Sequence, residues 1–403
     1  FTMIALFFAP IFIFIFAPGF YFDPIKKDLA VNVLRIMFPY LGLISLVAFA
    51  GGIQNSHQRF SLPAATPIIF NLCIIFSAFT LAPLFSIPII GLAWGVLLAG
   101  IIQLLIQLAP LSQIDRLPIP KIGLQNEGVK KVFILMLPAI IAGGVAQINL
   151  LIDTVFASLL ITGSPTWLYV SDRLIQFPLG IFAIAIGTVL LPSLSSANQR
   201  GDLTLYKEHL RKSQRLVIFL AIPSVIGLAL CSEHLISTLF QRGEFFYTDV
   251  TQASKSLIAF SFGLPFFMMM KVLVPAFFSR KDTKTPMYAA LAALALNIIL
   301  NYYFAFTLGY GHIGLAFASS ISALLSTGIL YTILVKGNYI QLTSPLNRFN
   351  LAVILGSISV ILFLIYCPFN INFNSLSFID RLITLSLEVA ISILLYLLIT
   401  RAI

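Results

Sequence analysis

Long apolar runs dominate this sequence and leave few folds open to it. Twelve stretches of mostly apolar residues follow one another, most of them near the roughly 20 residues that a helix needs to cross a bilayer. The runs are continuous, not short and alternating, which favours an α-helical bundle over a β-barrel. With 9% charged and 59% hydrophobic residues, the chain cannot cover a water-soluble core of its size. We therefore predict an all-α polytopic membrane protein and exclude a soluble enzyme.

The distribution of Lys and Arg predicts the orientation of these spans. The predicted spans are 1–19, 31–53, 63–85, 88–109, 132–160, 167–195, 216–238, 256–279, 287–306, 313–335, 350–367 and 382–400. Alternate connections and the tail carry 16 Lys and Arg, whereas the other connections carry 5. Basic loops stay in the cytoplasm, so the first set is expected there. The net charge of +10 is then a topology signal and an attraction to membrane lipid, and we expect no nucleic-acid partner.

An internal repeat predicts how the spans are organised. SHQRFSLP at 56–63 matches SRKDTKTP at 279–286 at an offset of 223, and IFAPGF at 15–20 matches LFQRGEF at 239–245 at an offset of 224. Two related six-helix halves would explain both matches. The offset places two helices of the first half before residue 1, so we expect the chain to begin inside a longer protein.

The repeat also divides the chain into parts. We predict twelve helices present out of fourteen, in two pseudo-symmetric lobes plus two extra C-terminal helices. The parts are a partial N-terminal lobe at 1–109 with the third to sixth helices, a cytoplasmic linker at 110–131, a C-terminal lobe at 132–335, and the additional helices at 350–403.

Ionisable side chains inside the predicted spans are candidate functional residues, because the bilayer interior disfavours charge. Gln176 lies four residues after Asp172 and three after Arg173, so the three would form one polar patch on a helix. The patch is either an interhelical Asp–Arg pair or a phosphate-gripping Arg facing the bundle interior. Lys271 lies mid-span and is a candidate for lining a cavity. Arg35 lies about one turn into its predicted span, where reaching the headgroups or contacting a phosphate would both explain it.

Asp153 is a carboxylate that needs a cation in the membrane. The cation could be a proton, a basic partner such as Lys271, or a metal ion held by oxygen ligands. Asn297 and Asn301 supply further oxygens four residues apart, although interhelical hydrogen bonding would also explain them. Glu388 in the last span has no partner nearby in the sequence, which leaves protonation or a partner on another helix.

Five segments resemble one known family across almost the whole chain. They are LRIMFPYLGLISL (34–46), NSHQRFSLPAATPIIFN (55–71), QINLLIDTVFAS (147–158), WLYVSDRLIQFPLGIFAIAIGTVLLPSLS (167–195) and FFSRKDTKTP (277–286). These segments resemble the MurJ (MviN) lipid II flippases of the MOP exporter superfamily. The resemblance implies a MATE-like bundle of fourteen helices in the bacterial inner membrane. It further implies two lobes around a cationic cavity, and two extra helices that form a groove for a polyprenyl tail.

The resemblance also implies a function in cell wall biogenesis. A member of this family moves lipid II, an undecaprenyl-diphosphate-linked peptidoglycan precursor, to the periplasmic leaflet by alternating access. By position, Arg173 would bind the diphosphate and Asp172 would orient Arg173, while Gln176 stands where relatives can carry an acid. Lipid II and membrane lipids are the implied partners, and a monomer is expected.

A cation site is implied by the same resemblance. No cofactor is required, but a sodium ion could act as the coupling ion. Its ligands would be Asp153, Asn297, Asn301, the backbone carbonyl of Leu315 and the hydroxyl of Ser319. Asn301 stands where relatives can have a carboxylate, which would lower the charge of the site.

Two other functions remain open from the sequence alone. A multidrug or O-antigen exporter of the same superfamily would usually stop at twelve helices, without the terminal pair. A membrane-embedded enzyme acting on polyprenyl phosphate would also need an arginine near phosphate. The chain has no P-loop, HExxH or GxSxG motif, which favours a transporter over an enzyme.

The helices expected before residue 1 lead to a prediction about the activity of residues 1–403. They would carry the other substrate-gripping arginines of the family, so residues 1–403 alone are expected not to flip lipid II in liposomes. Robust rescue of a flippase-depleted strain by residues 1–403 alone would contradict this expectation.

Overall fold

All the regular secondary structure in the described part of the chain is helical. A computed structural model describes residues 6–113, 127, 144, 147–340, 347–366, 373 and 376–403, and no β-strand occurs among them. The chain divides into two compact units, Phe1–Ala139 and Ile140–Ile403. The prediction of an all-α polytopic fold is confirmed.

The first unit contains five main helices within its described residues. They are α1 (Ala9–Phe16), α2 (Pro24–Met37), α3 (Pro39–Ser56), α4 (Ser61–Thr80) and α5 (Pro88–Gln113). The second unit contains eleven. They are α6 (147–158), α7 (Ser164–Pro178), α8 (Ile184–Gln199), α9 (Leu203–Leu230), α10 (Ser232–Phe240), α11 (Tyr247–Ser261), α12 (Leu264–Phe278), α13 (Lys284–Tyr302), α14 (Gly311–Lys336), α15 (Arg348–Tyr366) and α16 (Phe378–Ala402).

The described helices account for most of the predicted spans. Nine stretches of the described residues are long and apolar enough to cross a membrane, two of which combine consecutive helices (α2 with α3, and α7 with α8). The pair α11 and α12, bent by 41°, would make a tenth. The predicted spans 1–19 and 132–160 lie partly outside the described residues, as does most of the predicted linker 110–131. The count of twelve helices out of fourteen and the four-part division therefore stay predictions.

Two predicted spans have the wrong bounds, because capping residues extend the helices beyond their apolar cores. The span predicted at 31–53 begins at Pro24, after Asp23 accepts hydrogen bonds from the backbone N–H groups of the first turn. Arg35 consequently lies three turns into the helix, not one. The span predicted at 216–238 likewise begins earlier, because Asp202 caps a helix that starts at Leu203.

The span predicted at 216–238 is two helices, not one. Helix α9 ends at Leu230 and α10 starts at Ser232, with Cys231 between them in a non-helical conformation. Neither Pro nor Gly occupies this break, so the usual signals for the end of a helix are absent there.

The internal repeat has a counterpart in the backbone. Gln58 and Lys281 occupy equivalent positions and both adopt left-handed backbone conformations, with φ of 60° and 63°. Directly after them, Arg59 donates its N–H to the carbonyl of Gln54 at 2.9 Å, and Asp282 donates its N–H to the carbonyl of Phe277 at 3.1 Å. Both segments are thus Schellman caps with a non-glycine residue at the left-handed position, which is uncommon. The equivalent caps support the prediction of two related halves.

Small residues bring three helices of the second unit into close contact. A Cβ atom on Gly263, at the bend between α11 and α12, would lie 2.9 Å from Cα of Ser320 on α14. The hydroxyl of Ser320 donates to the carbonyl of Ala259 at 2.8 Å. Small residues and hydroxyl groups are the usual means of close helix packing in membranes. The bend positions α12 beside α14, and both helices contribute to the site described below.

Asp282 lies between two spans, and its hydrogen bonds predict a pH-dependent contribution to the stability of the fold. It accepts hydrogen bonds from the backbone N–H of Thr285 at 3.0 Å and from its hydroxyl at 2.7 Å. The backbone hydrogen bond is the main reason that the pKa of Asp282 lies below its ordinary value of 3.8. A carboxylate with a lowered folded-state pKa stabilises the fold above its unfolded pKa, and this contribution is lost as the pH falls through the folded value.

We therefore expect Asp282→Ala to lower the free energy of unfolding by about 1 kcal/mol at pH 7. The difference from the parent chain should be smaller at pH 3 than at pH 7, because the contribution of the carboxylate begins to be lost once the pH falls below its unfolded-state pKa. Unfolding in detergent micelles at the two pH values measures this, with Asp282→Asn as the control that keeps an acceptor oxygen. An equal loss at both pH values would contradict the prediction.

Candidate functional site

A cleft lies within the second unit. Its volume is about 760 Å3, and helices α6, α7, α12, α13 and α14 form its walls. Apolar side chains make up much of the lining, as expected for a bundle in lipid. The polar lining residues are Asn149, Asp153, Thr154, Asp172, Gln176, Lys271, Ser319, Ser322 and Ser326. The lining therefore carries two carboxyl groups and one amine in an otherwise apolar part of the chain.

Helix α7 presents one polar face to the cleft. Asp172 and Gln176 lie one turn apart, and the amide of Gln176 donates to Asp172 at 3.4 Å, a long hydrogen bond. Arg173 is exposed at the edge of this face and is not itself a lining residue. Its guanidinium carbon lies 4.7 Å from the centre of the Tyr169 ring, which does line the cleft. The tyrosine ring thus holds the arginine at the rim by a cation–π contact.

A π-helical turn follows this polar face. Leu179–Ala183 forms the turn directly after Pro178. Proline cannot donate a backbone hydrogen bond, and a π turn is one way in which a helix accommodates the lost bond. A second π turn, Tyr303–Thr307, follows Asn301 on α13. Both turns therefore come directly after residues predicted to be functional.

Lys271 on α12 lines the cleft, which is where the sequence placed it as a candidate. It is exposed, and no carboxylate among the described residues lies within 4.0 Å of its amine. Arg35 belongs to the first unit, where it is exposed and its Nε donates to the carbonyl of Leu6 at 3.4 Å.

Asp153 anchors a hydrogen-bonded cluster at the other side of the cleft. The amide nitrogen of Asn301 donates to Asp153 Oδ1 at 2.7 Å and to Asn297 Oδ1 at 2.9 Å. The hydroxyl of Ser319 donates to Asp153 Oδ2 at 3.3 Å, and Asn297 donates to that hydroxyl at the same distance. Both asparagines are completely buried. The sequence thus predicted residues from three helices that do meet.

The cluster contains an unsatisfied oxygen. Oδ1 of Asn301 is buried and accepts no hydrogen bond from any residue within the described ranges. Rotating this amide by half a turn would exchange its nitrogen and oxygen and direct the oxygen at Asp153. One carboxylate, two amides, one hydroxyl and the neighbouring Leu315 form an oxygen-rich set of the kind that suits a hard cation.

Sequence reasoning missed part of this site. Tyr169 was not a candidate, although its spacing from Arg173 on a helix signals a contact. Ser322 and Ser326 follow Ser319 at helical intervals along the lining face of α14, in a serine-rich run that could have indicated a polar face.

A polar network outside the cleft was also missed. The indole of Trp167 donates to Asp249 at 2.8 Å and its ring packs edge-on against His312. The imidazole of His312 is 2.6 Å from the hydroxyl of Ser256. These partners lie on α7, α11 and α14, so the network ties together helices that no local pattern connects.

Comparison with known proteins identifies the family. A family model described as "Lipid II flippase MurJ" matches residues 1–387. The chain belongs to the MurJ family. A probable lipid II flippase MurJ of Vibrio cholerae is 44% identical over 323 residues, which are 80% of this chain and 60% of that protein. The lipid II flippase MurJ of Burkholderia cenocepacia is 34% identical over 368 residues, 90% of this chain and 71% of that protein.

Solved structures support the same assignment. A structure of lipid II flippase MurJ in an inward closed conformation is 28% identical, with a TM-score of 0.81 over 99% of this chain and 79% of that one. An outward-facing multidrug resistance MATE transporter of the MOP superfamily has a TM-score of 0.54 at 12% identity, over 84% of this chain and 76% of that one, which supports the predicted MATE-like fold. This chain thus spans between 60% and 79% of the length of these MurJ relatives.

Family membership confirms several sequence predictions. The resemblance to MurJ is confirmed, and so is the prediction of a transporter family in place of an enzyme family. The predicted location as a multi-pass protein of the bacterial inner membrane is confirmed as well.

Proposed function

We propose that the protein formed by this chain moves lipid II from the cytoplasmic to the periplasmic leaflet by alternating access, and so serves cell wall synthesis. The observation that carries the proposal is the polar cleft inside an apolar unit of a MurJ family member. A passage for a diphosphate headgroup needs polar walls that lipid cannot supply, whereas a purely structural bundle would have no reason to retain them. Lipid II and the surrounding lipids are its proposed partners, and a monomer is its proposed state.

Arg173 and Lys271 are the proposed diphosphate ligands of the second unit. Arg173 is exposed beside the cleft, with its guanidinium carbon 4.7 Å from the centre of the Tyr169 ring, and a guanidinium can grip a phosphate with two N–H groups. Lys271 lines the cleft without an acidic partner in the described part of the chain. Asp172, next to Arg173, is proposed to orient it. Gln176 would hold Asp172, and Arg35 of the first unit is proposed as a further phosphate contact.

Removing either cation should weaken diphosphate binding. We expect Arg173→Ala and Lys271→Ala each to lower the affinity of the purified chain for undecaprenyl diphosphate about tenfold, because each removes a charge-assisted contact. Binding in nanodiscs measures the effect.

Lys284→Ala is the matched control for this experiment, because it removes one charge at the start of α13 and not at the cleft. Its affinity should equal that of the parent chain. Unchanged affinity in both cleft variants would count against the proposed ligands, and equal weakening in all three variants would indicate a general charge effect.

We also propose that the cluster around Asp153 binds Na+ as the coupling ion. The buried free oxygen of Asn301 and the concentration of oxygen donors support this proposal. In the arrangement described above, the amide of Asn301 donates to the carboxylate and partly compensates its charge. A bound sodium ion would supply the full positive charge that a buried carboxylate needs. Asn297, Ser319 and the Leu315 carbonyl would complete the ligand set.

The sodium proposal predicts that Na+ stabilises the protein. A ligand that binds only the folded state raises the melting temperature, and the stabilisation grows with the logarithm of one plus the ratio of ligand concentration to Kd. We expect NaCl to raise the melting temperature above that in choline chloride, and Asn301→Asp to enlarge the difference, because it adds a second carboxylate. Asp153→Asn should abolish it.

Asp172→Asn serves as the control for a change of charge in the same cleft outside the cluster. It should retain the full response to Na+. An Na+ response that survives in Asp153→Asn would place the ion elsewhere.

A further inference from the structure

Two ionisable side chains meet outside the cleft, at the contact between α10 and α16. Nδ1 of His234 lies 2.9 Å from Oε2 of Glu388, which is 154 residues away in the sequence. The Glu388 side chain is 1% exposed and the His234 side chain 14% exposed. Glu388 is the buried carboxyl for which the sequence offered no partner, and His234 is that partner.

The environment of Glu388 does not suit a bare carboxylate. Glu388 is the eleventh residue of the 25-residue helix α16, whose neighbouring residues are apolar. Its second oxygen, Oε1, is buried and has no hydrogen-bond donor in the described residues. An unbalanced charge is strongly disfavoured in such surroundings. One proton removes the imbalance, either as an imidazolium facing a carboxylate or as a carboxylic acid facing a neutral imidazole.

Phe373 completes the surroundings of the imidazole. Its ring is stacked on that of His234 with centroids 3.9 Å apart and planes 15° apart. The face of an aromatic ring attracts positive charge, so this contact is compatible with an imidazolium. Phe373 is itself 2% exposed, and its ring therefore shields one face of the imidazole from water.

Other charged groups near the pair are few in the described ranges. On α10 the only further ionisable side chain is Glu233, adjacent to His234. On α16 Asp380 bonds to Ser377 and Arg381 bonds to Gln241 at 2.7 Å, about two turns from Glu388. On the helices packed beside them, the charged groups next closest in sequence are Arg215 near the middle of α9, Asp249 and Lys255 on α11, and Arg348 at the start of α15. None of the Lys or Arg groups within the described ranges lies within 4.0 Å of the carboxyl of Glu388.

The pair lies at the centre of the contact between α16 and the rest of its unit. Polar bonds flank it at intervals of about two turns, with Arg381 bound to Gln241 on one side and Tyr396 donating to the carbonyl of Phe219 at 2.8 Å on the other. Beneath the contact, Cys231 is 4% exposed and belongs to a cluster with Tyr396. Moving α16 away would remove Tyr396 from this cluster and open one side of the thiol.

We propose that His234 and Glu388 form a proton-binding site that holds α16 on the second unit. With one proton bound, the pair is neutral and the contact is stable. When the proton leaves, one net negative charge remains in a buried contact and α16 separates more readily. This site is separate from the cleft and from the proposed sodium cluster, and it does not depend on the identity of the transported lipid.

The reactivity of Cys231 measures the separation of α16. Cys73→Ala and Cys367→Ala leave Cys231 as the one thiol, and its labelling by a maleimide is followed from pH 5.5 to 8.5. The matched control, Glu388→Gln, keeps the size and an acceptor oxygen but cannot bind the proton. Dividing the labelling rate of the parent chain by that of the control removes the pH dependence of the thiol itself.

The proposal predicts that the Cys231 labelling rate of the parent chain, divided by that of Glu388→Gln, rises with pH. Loss of the shared proton leaves an unbalanced carboxylate in the buried contact, so docking weakens as the pH rises. A ratio that is constant within about twofold over the whole range overturns the proposal.

His234→Gln tests the same site if Glu388→Gln does not fold. Glu388 would then have to hold the proton without the imidazole, and the rise in Cys231 labelling should begin at a lower pH than in the parent chain. A pH profile identical to that of the parent chain overturns the proposal.

Discussion

The hydrocarbon interior offers ions no solvent, and this constraint organises the second unit. Every buried charge there must find its partner within the protein. Asp153 finds the amide of Asn301 and the hydroxyl of Ser319, whereas Glu388 finds an imidazole. These contacts join helices that are far apart in the sequence, so the same groups that would bind ligands also decide which helices meet. The candidate sites and the packing of the unit are thus two results of one requirement.

The sequence predicted the features that depend on local composition. Long apolar runs indicate membrane helices, because that signal is read within a single segment. The ends of the helices were predicted less well. A hydropathy window detects the apolar core of a helix but not the polar turn that Asp23 or Asp202 caps. The break at Cys231 has no local signal, because the packing of α10 places it there.

The candidate site was predicted unevenly for the same reason. Asp153, Asn297, Asn301 and Ser319 could be grouped because they resemble a family pattern, and they do contact one another. The partner of Glu388 could not be inferred, because a histidine on a short helix 154 residues away carries no sign of that contact in the sequence. The position of Arg173 beside Tyr169 likewise depends on side-chain packing.

The two π turns have a consequence for how such a transporter can change during evolution. A π turn holds one residue more than the α-helix around it, so everything beyond it is rotated by about 100°. Before Leu179–Ala183, Asp172 and Gln176 face the cleft, whereas beyond it Leu190 and Leu194 are buried in the core. Gain or loss of a single codon at such a turn would redirect one half of a long helix relative to the other. The lining of the cleft could in this way acquire new specificity while the packing of the distant half was preserved.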